Sequence, residues 1–371
     1  MKFAVLTDAL FPNVIGGIQK HSYYLVKYLA REAYHVDVYH SHINLDTSWD
    51  VYFSVEELKY INFIDFDYPR SIRFPGHYIY SSYKLSKLYY EYLKQSKYDM
   101  IYAQGFTGWY ALIKEPFKRN MVTNLHGLEM FQKAINFKEY FKQIILRIPA
   151  SKIIKYSQNQ ISLGGKLTEI LASKGSKINS IKIIPNCVEK NWLLDNSLIN
   201  NNKKLKFVFI GRYERRKGVE ELSEVLSEII ENSNFEFHFV GPIPKNKKLD
   251  HPNIIYHGLI KSQEKIKNIL DNSDILVSPS YSEGMPTVIL EAMARGCAII
   301  ATNVGANCTM ISSENGWLIN GDIKSGLKEK MILALNLNKK KLFSMKCEST
   351  DKVEKYFTWS KSIVTLIQEI N

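Results

Sequence analysis

Cysteine is scarce in this chain. Cys187, Cys297, Cys308 and Cys347 lie far apart and form no Cys-x-x-Cys pair. That pattern favours reduced thiols in a cytosol and argues against a structural zinc site. Long apolar runs are also missing: no stretch reaches the roughly 18 residues needed to span a bilayer. The first apolar run, Phe3 to Leu6, is too short for a secretory leader and is interrupted by Asp8 and Pro12. There is no low-complexity tract and no short-period repeat. Acids are outnumbered, with 37 Asp and Glu against 49 Lys and Arg, a formal net charge of +12. No nucleic-acid recognition motif accompanies that charge, so no nucleic-acid partner is expected. His40 and His42 have one residue between them and no third ligand type nearby, so no metal is expected there.

What remains is an ordinary globular composition, 45% hydrophobic and 23% charged, in a chain of 371 residues, enough for two domains. Strand-like and helix-like segments alternate, which predicts α/β architecture with parallel sheets. Strands are expected at 2–7, 36–40, 99–103 and 121–124, with a helix over 18–30 that turns Ile18, His21 or Ser22, Leu25, Val26 and Leu29 to one side. Residues 41–97, rich in Tyr, Ser and Asp, show only weak periodicity. The segment 182–186 closes a first domain. After a polar stretch at 200–204 the pattern restarts: strands at 205–210, 235–240 and 254–257, helices at 220–230 and 261–270, then a short buried strand at 275–277. A last helix runs from about Lys355 through Trp359 to Ile370. The expected domains are 1–184, joined by a terminal helix at about 355–371, and 185–354.

The run Ser282 to Gly296 carries the most information. It places Glu283 and Glu291 eight positions apart around a loop that opens a helix. Pro286 suits the first helical position, and Gly296 suits the end, before a strand at 297–301. Glu291 is expected about two turns inside the helix. The N–H groups near Met285 to Val288 then share a space with both acids. A helix N-terminus attracts anions and carboxylates accept from hydroxyls, so a ligand with both phosphate and sugar satisfies every group. Two solvated acids on an ordinary strand–loop–helix unit are the plainer alternative.

This run resembles the signature of the retaining glycosyltransferases of family 4, also called glycosyltransferase group 1, through Glu283, Gly284, Met285, Pro286 and Glu291. The resemblance implies a GT-B fold: two Rossmann-like, doubly wound domains facing a cleft, with a last helix that crosses back onto the first domain. It further implies transfer of a sugar from a nucleotide-diphosphate sugar, here a substrate and not a cofactor, to a glycan or lipid-linked acceptor, with surface polysaccharide as the setting. Glu283 then contacts the sugar ring beside Gly284, Met285, Pro286 and Thr287, and Glu291 holds the ribose hydroxyls. Arg212 and Lys217, five apart after a strand, match the family's cations, with a basic surface turn alongside Arg215 and Arg216 as the plainer alternative. Arg212 and Lys217 would neutralise the departing diphosphate, where losing one such group costs on the order of 10²–10³ in rate. Gly16 and Gly17, between the first strand and helix, match a glycine pair near the donor diphosphate. A tight turn demands the same residues. His126, followed by Gly127, matches a histidine that touches the transferred sugar, either donating to a hydroxyl or accepting from it. Gln104 is expected on the acceptor side. His257, Gly258 and Leu259 are expected to line the base pocket after a strand.

No carboxylate is placed by motif as a covalent nucleophile, so the resemblance implies front-face displacement without a metal, in two domains that close to exclude water. An epimerase or phosphorylase on the same fold would need an acid–base pair or a cofactor lysine, and neither is identifiable. A degenerate scaffold subunit is the remaining alternative, against which the intact signature stands. A nicotinamide-dependent dehydrogenase is disfavoured because the first turn lacks Gly-x-Gly-x-x-Gly.

Positive charge is concentrated at 114–182, where thirteen Lys and Arg meet four acids. Within 133–155, Phe137, Tyr140, Phe141, Ile144, Ile145, Leu146, Ile148, Ile153 and Ile154 alternate with Lys133, Lys138, Lys142, Arg147, Lys152 and Lys155. Such a surface suits an anionic membrane, giving a cytoplasmic protein held peripherally on the inner face. A solvated helix covering its own core is the alternative.

Overall fold

The structure is a computed structural model that describes residues 1–14, 16–42, 48–69, 76–118, 120–199, 204–231 and 234–370. Ile15 of the first loop and 200–203 of the polar stretch lie outside the described residues, as does the side chain of His42.

Strands β1 (Lys2–Leu6), β2 (His35–His42), β3 (Ile61–Asp67), β4 (Met100–Gln104), β5 (Met121–Asn124), β6 (Asn159–Ser162) and β7 (Ile181–Ile183) form one sheet in the order β3-β2-β1-β4-β5-β6-β7. A second sheet holds β8 (Leu205–Ile210), β9 (Phe235–Val240), β10 (Ile254–Gly258), β11 (Ile275–Ser278), β12 (Ala298–Thr302) and β13 (Gly316–Ile319), ordered β10-β9-β8-β11-β12-β13. All pairings are parallel. In each sheet the strand order reverses once, between β1 and β4 and between β8 and β11. Ligands of such sheets bind at the carboxyl ends of the strands beside that reversal.

The chain divides into two units. One comprises Met1–Pro185 with the terminal helix Trp359–Ile370, and the other comprises Asn186–Thr358. In the first unit, helix Gly17–Arg31 buries His21, Ser22, Leu25, Val26 and Leu29 of the face its spacing predicts, while Ile18 is only half-buried and Tyr23, Tyr24, Tyr28 and Ala30 are buried beside them. The terminal helix packs Trp359 against His21, Tyr24 and Tyr28, with ring centroids 5.1, 5.8 and 6.0 Å apart. That helix starts at Trp359 and not near Lys355. Lys355 and Tyr356 end the preceding helix, Lys339–Tyr356, which belongs to the second unit. The unreadable region 41–97 contains β3 and helix His77–Leu93. This helix buries Tyr89 but exposes Tyr78, Tyr80, Tyr83 and Tyr92. Tyrosine on both faces erases the period that would have marked it.

The second unit is built on alternation. Phe235, Phe237 and Phe239 of β9 are buried with Phe207 and Phe209 of β8 against Leu222, Val225 and Leu226 of helix Val219–Ile229. Each such side chain contributes about 2 kcal/mol on burial. A buried ion pair, Lys346 Nζ to Asp274 Oδ1 at 2.7 Å, ties helix Lys339–Tyr356 to the entry of β11.

Candidate active site

At the reversal of the second sheet, the loop after β8 meets the loop after β11. Gly218 sits at φ +66°, where a Cβ would collide with the carbonyl of Pro279, so only glycine allows this approach. The Tyr281 N–H donates to the Arg216 carbonyl at 2.8 Å and locks the two loops together. Lys217 Nζ then donates to Glu283 Oε1 at 2.6 Å, and Arg216 Nη1 lies 3.2 Å from Glu283 Oε2. Burial pushes the Glu283 carboxyl up, but the charges of Lys217 and Arg216 and the Lys217 hydrogen bond outweigh it and hold the group below the usual carboxylate range. Glu283 is therefore an ionised acid, 6% exposed.

The loop carrying Glu283 is held from three sides. Asn186 Nδ2 donates to the Met285 carbonyl at 2.7 Å, and the Ala306 N–H donates to the Gly284 carbonyl at 2.8 Å. Gly305, at φ +54°, fits against the carbonyls of Glu283 and Gly284 where any Cβ would clash. Helix Thr287–Ala294 follows. Pro286 caps it and does not occupy its first turn; having no side chain that bonds, it leaves the first-turn N–H groups without a side-chain cap. Glu291 is the fifth residue of this helix, little more than one turn in, because the helix spans only eight residues. The expected depth of two turns was an overestimate. Glu291 is buried. Gly296 ends the helix at φ +73°, with Cys297 N–H donating to the Ala292 carbonyl at 2.9 Å and Gly296 N–H to Met293 at 3.0 Å. That pair of bonds is a Schellman close.

Arg212 is not brought to Glu283. Its side chain is 73% exposed, with Nε 3.1 Å from Glu214 Oε1. Arg216 occupies the place beside Glu283 that spacing alone would not assign. Arg215 turns the other way, onto Glu221 and the ring of Tyr281. His257 and Gly258 are the last residues of β10 and do not follow it. His257 Nε2 lies 2.9 Å from His238 Nδ1, and Leu259 is exposed.

In the first unit, Asp8, just beyond β1, accepts from Gln19 Nε2 at 2.8 Å and from the Ala9 N–H at 2.9 Å. Burial raises its carboxyl against those bonds. Gly16 is extended, and a Cβ there would displace Gln19. Gly17 opens the helix with nothing within 4 Å of where its Cβ would stand. Beyond β5, His126 adopts a left-handed backbone at φ +58°, with its N–H donating to Asn124 Oδ1 at 2.9 Å. Its Nε2 lies 2.5 Å from Gln104 Oε1, and Gln104 Nε2 lies 2.9 Å from His21 Nδ1. Burial lowers both imidazoles, His21 to about 3 and His126 well below its ordinary value with His21 adding to the effect, so both are neutral. Gln104 is 1% exposed, with both ends of its amide engaged, and is not presented to an acceptor as expected.

Among the described residues no group of three His, Cys, Asp or Glu is placed to hold a metal ion. His40 is buried beside Asp65 at 3.0 Å. Among the described residues no helix is long and apolar enough to cross a membrane. The basic segment 133–155 falls mainly on helix Phe137–Tyr156. There Ile153 and Ile154 are buried, while Phe137, Tyr140, Phe141, Ile144 and Ile148 are exposed along one face.

Residues 15–192 match the family model described as Glycosyltransferase Family 4, and residues 204–336 match that described as Glycosyl transferases group 1. An uncharacterized glycosyltransferase of Methanocaldococcus jannaschii is 28% identical over 97% of this chain and 95% of its own. An Escherichia coli UDP-Gal:alpha-D-GlcNAc-diphosphoundecaprenol alpha-1,3-galactosyltransferase is 32% identical over 38% of this chain and 41% of its own. Sucrose-phosphate synthase from Thermosynechococcus elongatus superposes with a TM-score of 0.80 at 18% identity, over 99% of this chain and 97% of that one. The two parallel sheets are thus those of the GT-B fold.

Proposed function

The chain belongs to the glycosyltransferases of group 1, family 4, and from that premise we propose that it moves a sugar from a nucleotide-diphosphate sugar to a glycan or lipid-linked acceptor with retention of configuration. Assembly of a surface polysaccharide is the proposed setting, in keeping with the lipid-diphosphate acceptor named for the Escherichia coli relative. The observation that carries the reading is the Lys217–Glu283–Arg216 cluster at the reversal of the second sheet, beside the first turn of helix Thr287–Ala294.

The proposed chemistry follows from charge. As the bond between the anomeric carbon and the diphosphate oxygen breaks, negative charge gathers on the phosphate. Lys217, Arg212 and the first-turn N–H groups of helix Thr287–Ala294 stabilise it. Gly16 and Gly17 admit the phosphates, and Glu291 accepts from the ribose hydroxyls. Glu283, with Gly284, Met285 and Thr287 around it, and His126 orient the sugar. The acceptor hydroxyl bonds to the anomeric carbon on the face the diphosphate leaves, and its proton passes to the departing phosphate oxygen. These cations and the helix terminus supply the positive charge, so the proposal includes no metal requirement.

Slow donor hydrolysis, with water as acceptor, tests this directly. In EDTA, proton NMR should show the released sugar first as the anomer present in the donor. Initial release of the opposite anomer contradicts retention, and arrest by EDTA contradicts metal-free transfer.

The exposed face Phe137, Tyr140, Phe141, Ile144 and Ile148, flanked by Lys138 and Lys142, supports peripheral binding to an anionic membrane from its cytoplasmic side. Sedimentation with phosphatidylglycerol vesicles should exceed that with phosphatidylcholine vesicles and fall in Phe141→Glu. Equal sedimentation with both removes the membrane from the proposal.

A further inference from the structure

The bond pattern around Gln104 bears on a chemical choice that sequence left open, whether His126 donates or accepts. An amide nitrogen only donates and an amide oxygen only accepts. In this orientation of the amide, Gln104 Nε2 stands 2.9 Å from His21 Nδ1 as the donor, which leaves that imidazole nitrogen unprotonated and the His21 proton on Nε2. With Gln104 Oε1 2.5 Å from His126 Nε2, the proton of His126 stands on Nε2. A neutral imidazole has one such proton, so His126 Nδ1 is a bare lone pair.

The support around this relay is extensive. Gln104 is buried at the end of β4 and His21 is buried on helix Gly17–Arg31, its ring edge-on to His126 at 5.0 Å and to Trp359 at 5.1 Å. Asn124 holds the His126 backbone through Oδ1 and turns its Nδ2 to the Tyr102 hydroxyl at 3.0 Å. Among the described residues, no protein group bonds to His126 Nδ1. His126 holds a left-handed backbone at φ +58°, a conformation that gathers at functional sites.

We propose that Gln104 is a positioning residue that fixes His126 in the Nε2–H tautomer, so that Nδ1 accepts a hydrogen bond from a hydroxyl of the transferred sugar. His126 is then an acceptor, neither a proton donor nor a general base. Only the identity of the hydroxyl's owner rests on the proposed transferase function; the tautomer does not.

The test is a nitrogen-15 histidine spectrum of the full ligand-free chain, with resonances assigned by His126→Asn and His21→Asn. Wild type should show His126 as the Nε2–H tautomer. Gln104→Leu, losing one neutral hydrogen bond, should move the tautomer ratio about fivefold toward Nδ1–H. Gln104→Glu keeps an acceptor oxygen toward His126 and should restore Nε2–H. Should Gln104→Leu fail to fold, the wild-type and Gln104→Glu spectra decide. An Nδ1–H His126 in wild type, or a ratio unmoved by Gln104→Leu, overturns the proposal. Adding UDP-, GDP- and ADP-sugars in turn separates the two claims: an intact tautomer with no response to any of them faults the transferase reading alone.

Discussion

At Gly17 the backbone is ordinary and the space beside Cα is open, so the fold does not demand glycine there. Gly16 differs, because its Cβ would push Gln19 off Asp8. Gly17→Ala is therefore expected to leave stability unchanged or raise it by up to about 1 kcal/mol, since alanine is the better helix former. Donor turnover should nevertheless fall at least about tenfold, because the added methyl enters the space proposed for phosphate. Thermal unfolding beside donor hydrolysis checks both halves; a variant as active as wild type removes Gly17 from the site. Glu283 and Glu291 stand out in the sequence as candidates because a loop opening a helix sets them at fixed spacing, whereas Lys217 is a candidate through the family resemblance. Arg216 is not, since three adjacent basic residues give no sign of which one the turn directs at Glu283. Gln104 was visible only as a polar residue at a strand end. Its partners His21 and His126 come from distant elements, and no local pattern joins them.

At the scale of elements, the Glu283 loop has its shape imposed by neighbours. Gly305, beyond β12, supplies that constraint through a contact no side chain can share. Gly305→Ala should destabilise the protein by at least about 2 kcal/mol, from the left-handed backbone and the backbone clash together. It should also weaken donor binding, although Gly305 carries no functional group. Calorimetric unfolding and donor titration measure the two losses; full binding in a destabilised variant would show that the loop does not need this buttress. Most strands are legible because buried parallel strands read as short apolar runs between turn residues. Helix His77–Leu93 is not, because its tyrosines serve both the core and the surface. The division between the last two helices also escapes, because only Phe357 and Thr358 separate them.

The whole molecule repeats one design. Each unit is a parallel sheet whose order reverses once, and each places its candidate groups at the carboxyl ends beside that reversal: Gly16, Gly17 and Gln104 in the first, Lys217, Glu283 and Glu291 in the second. The alternation of strand and helix was enough to read two such units. The return of the terminal helix to the first unit was implied by family resemblance alone, since an amphipathic helix does not declare which core it covers. In the proposed function the second unit grips a nucleotide sugar through Glu291 and the helix that carries it. The direct measurement is thermal stabilisation by UDP-, GDP- and ADP-sugars without added metal, on wild type and Glu291→Ala. One nucleotide class should raise the wild-type midpoint, and Glu291→Ala, folded but ligand-free, should lose the shift. No stabilisation by any donor, or an equal shift in both proteins, would contradict the proposal.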